Sequence, residues 1–283
     1  MTAVTHDEVI GLKFKIGFAQ EEQKENKTPM ITHVTSEYTI SPRKSVVQVH
    51  FPEKNKTLAY YNDRFDLHCG DIVYVDGKLE GHRGRVVEVN YNFKIKLSDY
   101  KRVIAVVDTD VKGRFYMAGS HMVSFDVAVI PKHKVIRWFL APTEEEEYVT
   151  GSGDSSFYLD DLSKMNVSLA VAERGHEYYM ENKVRYICVD GTQGYAIVEG
   201  GEAYEVEFTY KDGEISDLTC SCYCSYNCKH EFAAMLQLKE SLELIEKHYS
   251  KEYEQSGYFA AVYKPTLFAF AINGKEQGSF TLS

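Results

Sequence analysis

The sequence shows neither a long apolar run nor an apolar start, and we expect neither a membrane span nor a secretory signal. No apolar run approaches the roughly 18 residues that a membrane-spanning helix requires. The first eight residues, MTAVTHDE, contain no apolar stretch of the kind that a secretory signal needs. We therefore expect a soluble protein of the reducing cytoplasm, with no membrane partner.

The chain also lacks the short motifs of common enzyme classes. It contains no GxxxxGK(S/T) phosphate-binding loop, no HExxH, no GxSxG, and no GxGxxG that opens a helix after a strand. Asp160 and Asp161, with the acidic run 144–147, are typical of solvated segments rather than of a carboxylate metal site. Four histidines stand alone, and we expect surface or hydrogen-bonded core residues at His121, His133, His176 and His248. We predict that the protein is not an enzyme, with a carboxylate hydrolase as the weaker alternative.

What the chain does contain is a cluster of metal-binding residue types. Cys220, Cys222, Cys228 and His230 lie within eleven residues, as CxC, a five-residue loop and CxH. Zinc prefers a closed tetrahedron of Cys and His ligands in structural sites, and four such ligands leave no position for a catalytic water. We predict one structural Zn²⁺ at these four residues. Disulfides or buried thiols are the alternative, although cysteines two residues apart rarely bridge each other without strain.

The sequence around the cluster predicts the elements that carry it. Residues two apart on a strand point to the same face, so the CxC pair can present both thiolates from the end of a strand. After His230, apolar residues recur at helical spacing as far as Ile245 without Gly or Pro, which places Cys228 and His230 at a helix N-terminus. The helix macrodipole there favours the thiolate, which is the form that binds metal. The two cysteines outside this region, Cys69 and Cys188, are expected to be ordinary buried residues.

The pattern of CxC, a variable loop and CxH resembles the signature of the SWIM zinc-finger family. The resemblance covers about 75 residues and extends upstream through a helix around Gly175 and strands at 196–200 and 204–208. It implies a strand, a hairpin and a helix around one zinc ion, and binding to DNA or to protein. It also implies Cys222 rather than Cys224 as the second ligand, because only Cys222 has the family spacing.

Charge divides the chain into two parts. Residues 1–140 hold 21 Lys and Arg against 17 Asp and Glu, a balance of +4, and residues 141–283 hold 11 against 25, a balance of −14. Proline, consecutive glutamates and a Gly/Ser-rich stretch lie together where the balance changes. We therefore predict a β-rich domain at 1–140, an acidic and Gly/Ser-rich linker at 141–156, and a SWIM zinc-finger domain with a C-terminal β-hairpin at 157–283.

The predicted hairpin lies at the end of the chain. Residues 258–263, 266–272 and 278–282 are apolar and aromatic, and an Asn-Gly pair at 273–274 favours a tight turn between the last two. We expect the aromatic residues of these strands to belong to the core of the domain, with an interface as the alternative.

Short β-branched and aromatic segments dominate the first domain. Turn residues separate six of them, at 46–51, 57–61, 71–75, 84–89, 93–97 and 102–107. The Gly-Asp and Gly-Arg starts of two of these segments resemble SH3-like barrels, so we expect a small barrel over about 43–108. Further strands are predicted at 114–117, 122–130 and 135–140. The fold class is then α+β, with an N-terminal SH3-like barrel and a C-terminal SWIM-type zinc domain.

Basic residues of this barrel form a candidate nucleic-acid surface. The two-residue period of a strand places Lys94 and Lys96 on one face, and Arg83 and Arg85 would share a face in the same way. Lysines that alternate with apolar residues are also typical of any half-buried strand, which is the plainer interpretation. Only Lys229 is basic near the zinc cluster, so we expect the acidic C-terminal domain to bind a protein partner. The predicted function is a nucleic-acid- or protein-binding module, and the alternative is a scaffold that binds only proteins.

Overall fold

The structure, a computed structural model, describes residues 42–142, 155–222, 224, 226–272 and 281–282. This part of the chain holds fourteen strands and four helices. The strands form one sheet of five and one of nine, and nearly all neighbouring strands are antiparallel. The predicted α+β class is therefore confirmed.

The five-stranded sheet contains the N-terminal strands in the order β2-β1-β4-β3-β5. Its members are β1 (Ser45–Phe51), β2 (Lys56–Asn62), β3 (Ile72–Val75), β4 (Gly84–Asn90) and β5 (Val103–Val106). Alternate residues of β1 point inward, so that Val47, Val49 and Phe51 join a core with the valines of β3. No closed barrel is found in the described residues, since the edge strands β2 and β5 meet at a single parallel bridge between Tyr61 and Arg102.

The strand predicted at 93–97 is wrong. These residues pair with no neighbouring strand and lead into a short 3-10 helix at Leu97–Asp99. Their side chains nevertheless alternate in exposure, with Phe93 and Ile95 half-buried and the intervening lysines exposed. The alternation alone thus mimics a strand, because a two-residue period records burial and not pairing.

The nine-stranded sheet joins segments that lie far apart in the chain, in the order β14-β6-β7-β13-β9-β10-β11-β12-β8. The strands are β6 (Arg114–Ala118), β7 (His121–Ser124), β8 (Phe157–Tyr158), β9 (Val184–Asp190), β10 (Gln193–Glu199), β11 (Ala203–Lys211), β12 (Glu214–Cys220), β13 (Tyr258–Tyr263) and β14 (Thr281–Leu282). The chain passes from the five-stranded to the nine-stranded sheet between Val106 and Arg114, upstream of the predicted linker. Most of that linker lies outside the described residues. The domain boundaries themselves stay a prediction.

Within the described ranges, four helices pack against the sheets: α1 (Lys132–Phe139), α2 (Leu169–Met180), α3 (Lys229–Ser256) and α4 (Lys264–Ala271). The strand predicted at 135–140 is wrong, because Val135 and Trp138 face the core one helical turn apart. The strand predicted at 266–272 is also wrong: Pro265 stands in the first turn of α4, where a missing N–H costs little. The Asn-Gly turn at 273–274 lies outside the described residues.

Two apolar cores lie on opposite faces of the nine-stranded sheet. Neighbouring residues of one strand point to opposite faces, so Ile187 packs toward α3, and Tyr186 and Cys188 pack toward α1 and α4. None of the helices in the described residues combines the length and the apolar character that crossing a membrane requires. The α3 side of the sheet carries the Cys/His cluster.

Candidate metal centre

The four predicted ligands come from the end of a strand and the start of a helix. Cys220 is the last residue of β12, and Cys222 follows two residues later. Cys228 is the N-cap of α3, and His230 lies in the first turn of that helix. The strand, loop and helix arrangement expected from the sequence is present here.

The ligand atoms of these residues meet in one place. One ligand atom from each of Cys220, Cys222, Cys228 and His230 lies within 4.8 Å of the other three. The Nδ1 atom of His230 is 3.7 Å from the Sγ atoms of both Cys220 and Cys228. Usual Zn–S and Zn–N bond lengths in a tetrahedron place such a nitrogen about 3.6 Å from each sulfur. The donor set and its spacing therefore fit a tetrahedral metal ion such as zinc.

Aromatic rings hold the His230 imidazole in place. The Tyr204 ring stacks on it, with centroids 4.1 Å apart and planes at 18°. The Tyr178 ring meets the imidazole edge-on at 5.5 Å. The buried Nε2 atom has no hydrogen-bond partner in the described residues. The orientation that directs Nδ1 at the sulfurs is therefore set by ring packing.

The thiols of the cluster share protons unequally. A hydrogen bond from the Cys220 thiol lowers the pKa of Cys228. Hydrogen bonds with the His230 side chain and with the Glu231 backbone also lower the pKa of Cys228. The same shared hydrogen bond raises the pKa of Cys220, and burial raises the pKa of Cys222. A divalent ion deprotonates each thiol that coordinates it, so a bound metal would replace this sharing with three thiolates.

The start of α3 and the loop before it are fixed by local hydrogen bonds. The Cys228 backbone N–H donates to Glu231 Oε2 at 2.6 Å, and the Cys228 side chain caps the helix in return. Burial and the neighbouring Cys228 thiolate raise the pKa of Glu231 to about 8. The Asn227 side-chain amide donates to the Met165 carbonyl, which ties the loop to the body of the domain.

The remaining cysteines lie outside this group. Cys224 is exposed in the loop and is not among the four clustered residues. Cys188 is buried as expected, and burial raises its pKa to about 11. The expectation of a buried Cys69 is wrong, since this residue is exposed and its thiol lies 3.5 Å from the Val87 carbonyl.

The four basic residues proposed to contact nucleic acid have different surroundings. Arg83 donates to the Trp138 carbonyl and lies over the Phe270 ring at 5.3 Å. Arg85 donates to the Gly70 carbonyl at 2.8 Å. Lys94 and Lys96 are exposed. Only the two lysines are presented to solvent in the way that phosphate contact requires.

Other residues singled out in the sequence take structural or exposed positions. His121 is fully buried, with Nε2 2.8 Å from the Val184 carbonyl and Nδ1 2.9 Å from Ser120 Oγ. His133, His176 and His248 are exposed, as are Asp160 and Asp161. The run 144–147 lies outside the described residues.

Sequence reasoning missed the residues that support the metal cluster. The sequence predicts Tyr204 only as part of a strand, and no local pattern marks Asn227. The reciprocal cap had a local signal, because Glu231 stands three residues after Cys228 as in a capping box. The stacking of Tyr204 on His230 had none, since it joins β11 to α3 across the fold.

Comparisons with known protein families, with curated proteins and with solved structures find no match to this chain.

Proposed function

We propose that the chain is a SWIM-type zinc-binding protein in which one Zn²⁺ is held by Cys220, Cys222, Cys228 and His230. The observation that carries this proposal is the meeting of four ligand atoms within 4.8 Å. Three thiolates and one imidazole are a donor set that zinc prefers, and four protein ligands fill its tetrahedron. The ion then has a structural role, since no position is left for a reacting water.

Zinc in this place would connect two elements that the sequence separates by a loop. Strand β12 ends at Cys220 and helix α3 begins at Lys229, and α3 packs over the sheet with Ala233, Met235 and Leu238. Metal binding is coupled to folding in small zinc modules, with apparent free energies of about 10–16 kcal/mol near neutral pH. Loss of the ion is therefore expected to loosen α3 and its contacts with β9 to β12.

We further propose that the protein acts by binding another macromolecule and not by catalysis. The exposed Lys94 and Lys96 support nucleic-acid contact on the N-terminal sheet. Lys229 is the one basic residue near the metal ligands in the sequence, whereas several acidic residues surround them. This balance favours a protein partner for the C-terminal module. A scaffold that binds only proteins is the alternative, because Arg83 and Arg85 are engaged with backbone carbonyls inside the fold.

Salt-dependent binding distinguishes these two functions. Zinc-loaded protein is titrated into labelled single-stranded DNA, duplex DNA and RNA at low and physiological salt. Nucleic-acid contact predicts affinity that falls steeply with salt and is lost when Lys94 and Lys96 are both changed to Glu. A matched variant with Lys247→Glu and Lys251→Glu, two exposed residues of α3, should retain it. Absence of binding to all three nucleic acids would favour the protein scaffold.

A further inference from the structure

A cleft of about 590 Å³ opens on the face of the nine-stranded sheet opposite α3. Its lining includes Lys132 from α1, Asp190 from the end of β9, Tyr195 from β10, Glu207 from β11 and Asp217 from β12. The volume is in the range of small-molecule sites. The Cys/His cluster contributes none of the lining residues, so this cleft is a separate feature of the fold.

One of the groups that line this cleft is an ammonium. The Nζ atom of Lys132 lies 4.0 Å from the centroid of the Tyr195 ring and 2.7 Å from Glu207 Oε1. The Tyr195 hydroxyl donates to Glu205 Oε1 at 2.7 Å, which fixes the ring beneath the ammonium. An aromatic face and a carboxylate on the same cation are the arrangement by which proteins recognise amines. About half of the Lys132 and Glu207 side chains remains exposed, so solvent reaches the pair.

The cleft carries more negative charge than Lys132 neutralises. Asp190 and Asp217 also line it, and neither forms an ion pair within the described residues. Asp217 has a left-handed backbone with φ of 51°, at an irregularity in the β11–β12 register. Three carboxylates and one ammonium therefore line the cleft, and the surplus of negative charge attracts a further cation.

We propose that this cleft binds a primary alkylammonium group, with Glu207, Asp190 and the Tyr195 ring as its recognition residues and Lys132 as an internal competitor. The ammonium comes from a free diamine or from a lysine side chain of a polypeptide, and both present the same chemistry to the cleft. The proposal does not depend on the zinc ion or on nucleic-acid binding.

The test measures binding of two probes by calorimetry to the full-length, zinc-loaded protein. One probe is 1,5-diaminopentane, and the other is a short capped peptide with one lysine, compared with the same peptide acetylated on that lysine. Saturable binding of the diamine or of the unmodified peptide is expected, and the acetylated peptide should not bind. Binding by the diamine alone would assign a free amine, and binding by the peptide would assign a lysine side chain.

Variants separate recognition at this cleft from general attraction to an acidic protein. Lys132→Met removes the competitor and should tighten binding by about threefold to tenfold, whereas Lys247→Met, on α3 across the sheet, changes net charge equally and should not. In the Lys132→Met background, Glu207→Gln should weaken binding about tenfold, and Glu173→Gln, an exposed residue of α2, should not. Melting temperatures of all variants confirm that they are folded.

The proposal is overturned by any of three results. The first is that neither probe shows saturable binding, either to the wild type or to Lys132→Met. The second is equal binding of the acetylated and unmodified peptides. The third is an affinity that responds equally to Glu207→Gln and to Glu173→Gln.

Discussion

The ring of Tyr204 lies against the imidazole of His230, with centroids 4.1 Å apart and ring planes at 18°. Histidine ligands are usually oriented by a hydrogen bond to their second nitrogen, but the Nε2 atom of His230 has no such partner in the described residues. Stacking therefore takes the place of that hydrogen bond.

The first prediction follows from this stacking. Tyr204→Leu should weaken zinc affinity by about 10- to 100-fold, the usual loss when the support of a ligand is removed. Tyr204→Phe keeps the ring and should bind zinc as the wild type does. Competition with a chromogenic chelator measures both affinities. Equal losses in the two variants would show that the hydroxyl, and not the stacked ring, supports the site.

Close approach of α2 to the start of α3 gives the second prediction. A Cβ atom at Gly175 would lie 2.8 Å from Phe232 Cβ and 3.0 Å from the Lys229 carbonyl oxygen, so Gly175→Ala forces the helices apart. Such overpacking costs about 1–3 kcal/mol of unfolding free energy. Gly201→Ala is the control, because nothing lies within 4 Å of its added Cβ. Urea unfolding of the two variants should differ by that amount, and equal midpoints would contradict the described packing.

The third prediction concerns pH. Burial lowers the pKa of His121 to about 4, and Arg185 and Lys264 add to the effect, although the hydrogen bond to the Val184 carbonyl opposes it. The unfolded chain, with an ordinary pKa near 6.5, binds a proton first as pH falls. Stability is therefore complete above about pH 6.5 and falls by about 3 kcal/mol between that pH and about pH 4.

Replacement of His121 tests the origin of this pH dependence. His121→Gln keeps a donor for the Val184 carbonyl and should remove that part of the pH dependence, while His133→Gln, at an exposed position, should keep it. Both variants retain the four metal ligands, so metal loss at low pH affects them alike. Identical slopes of unfolding free energy against pH in the two variants would contradict the assignment.

The fourth prediction distinguishes a structural arginine from an exposed lysine. Arg83 contacts the Trp138 carbonyl and the Phe139 and Phe270 rings, so Arg83→Met should destabilise the protein by about 1–2 kcal/mol. Lys94→Met should stay within about 0.5 kcal/mol of the wild type. Chemical denaturation measures both values. A neutral Arg83→Met would leave that arginine available for phosphate contact after all.

The sequence was sufficient to predict the metal cluster because its four ligands lie close together in the chain. The CxC spacing, the helical period after His230 and the cap at Cys228 are all local signals. Long-range pairing left no such signal: β7 joins β13 although more than a hundred residues separate them, and no local pattern records that partner.

Two of the three incorrect strands, those predicted at 135–140 and 266–272, had a helical signal that their apolar pattern concealed. In α4, Leu267, Phe270 and Ala271 are buried at helical spacing, while the alternating aromatic residues of the same segment also satisfy a two-residue period. In α1, Val135 and Trp138 are buried at helical spacing, while the run of apolar residues around them also fits a buried strand. Short apolar segments are ambiguous in this way, because one face of a short helix and one face of a strand hold similar numbers of apolar residues.

Zinc content tests the proposed metal centre most directly, measured on the wild type and on Cys228→Ser and Cys224→Ser together with thermal unfolding. We expect one zinc per chain in the wild type and in Cys224→Ser. We expect loss of zinc and of the α3 unfolding transition in Cys228→Ser, since structural metal binding is coupled to folding. Well under one zinc per wild-type chain, with all six cysteines reactive toward a thiol reagent, would show that these residues hold no zinc.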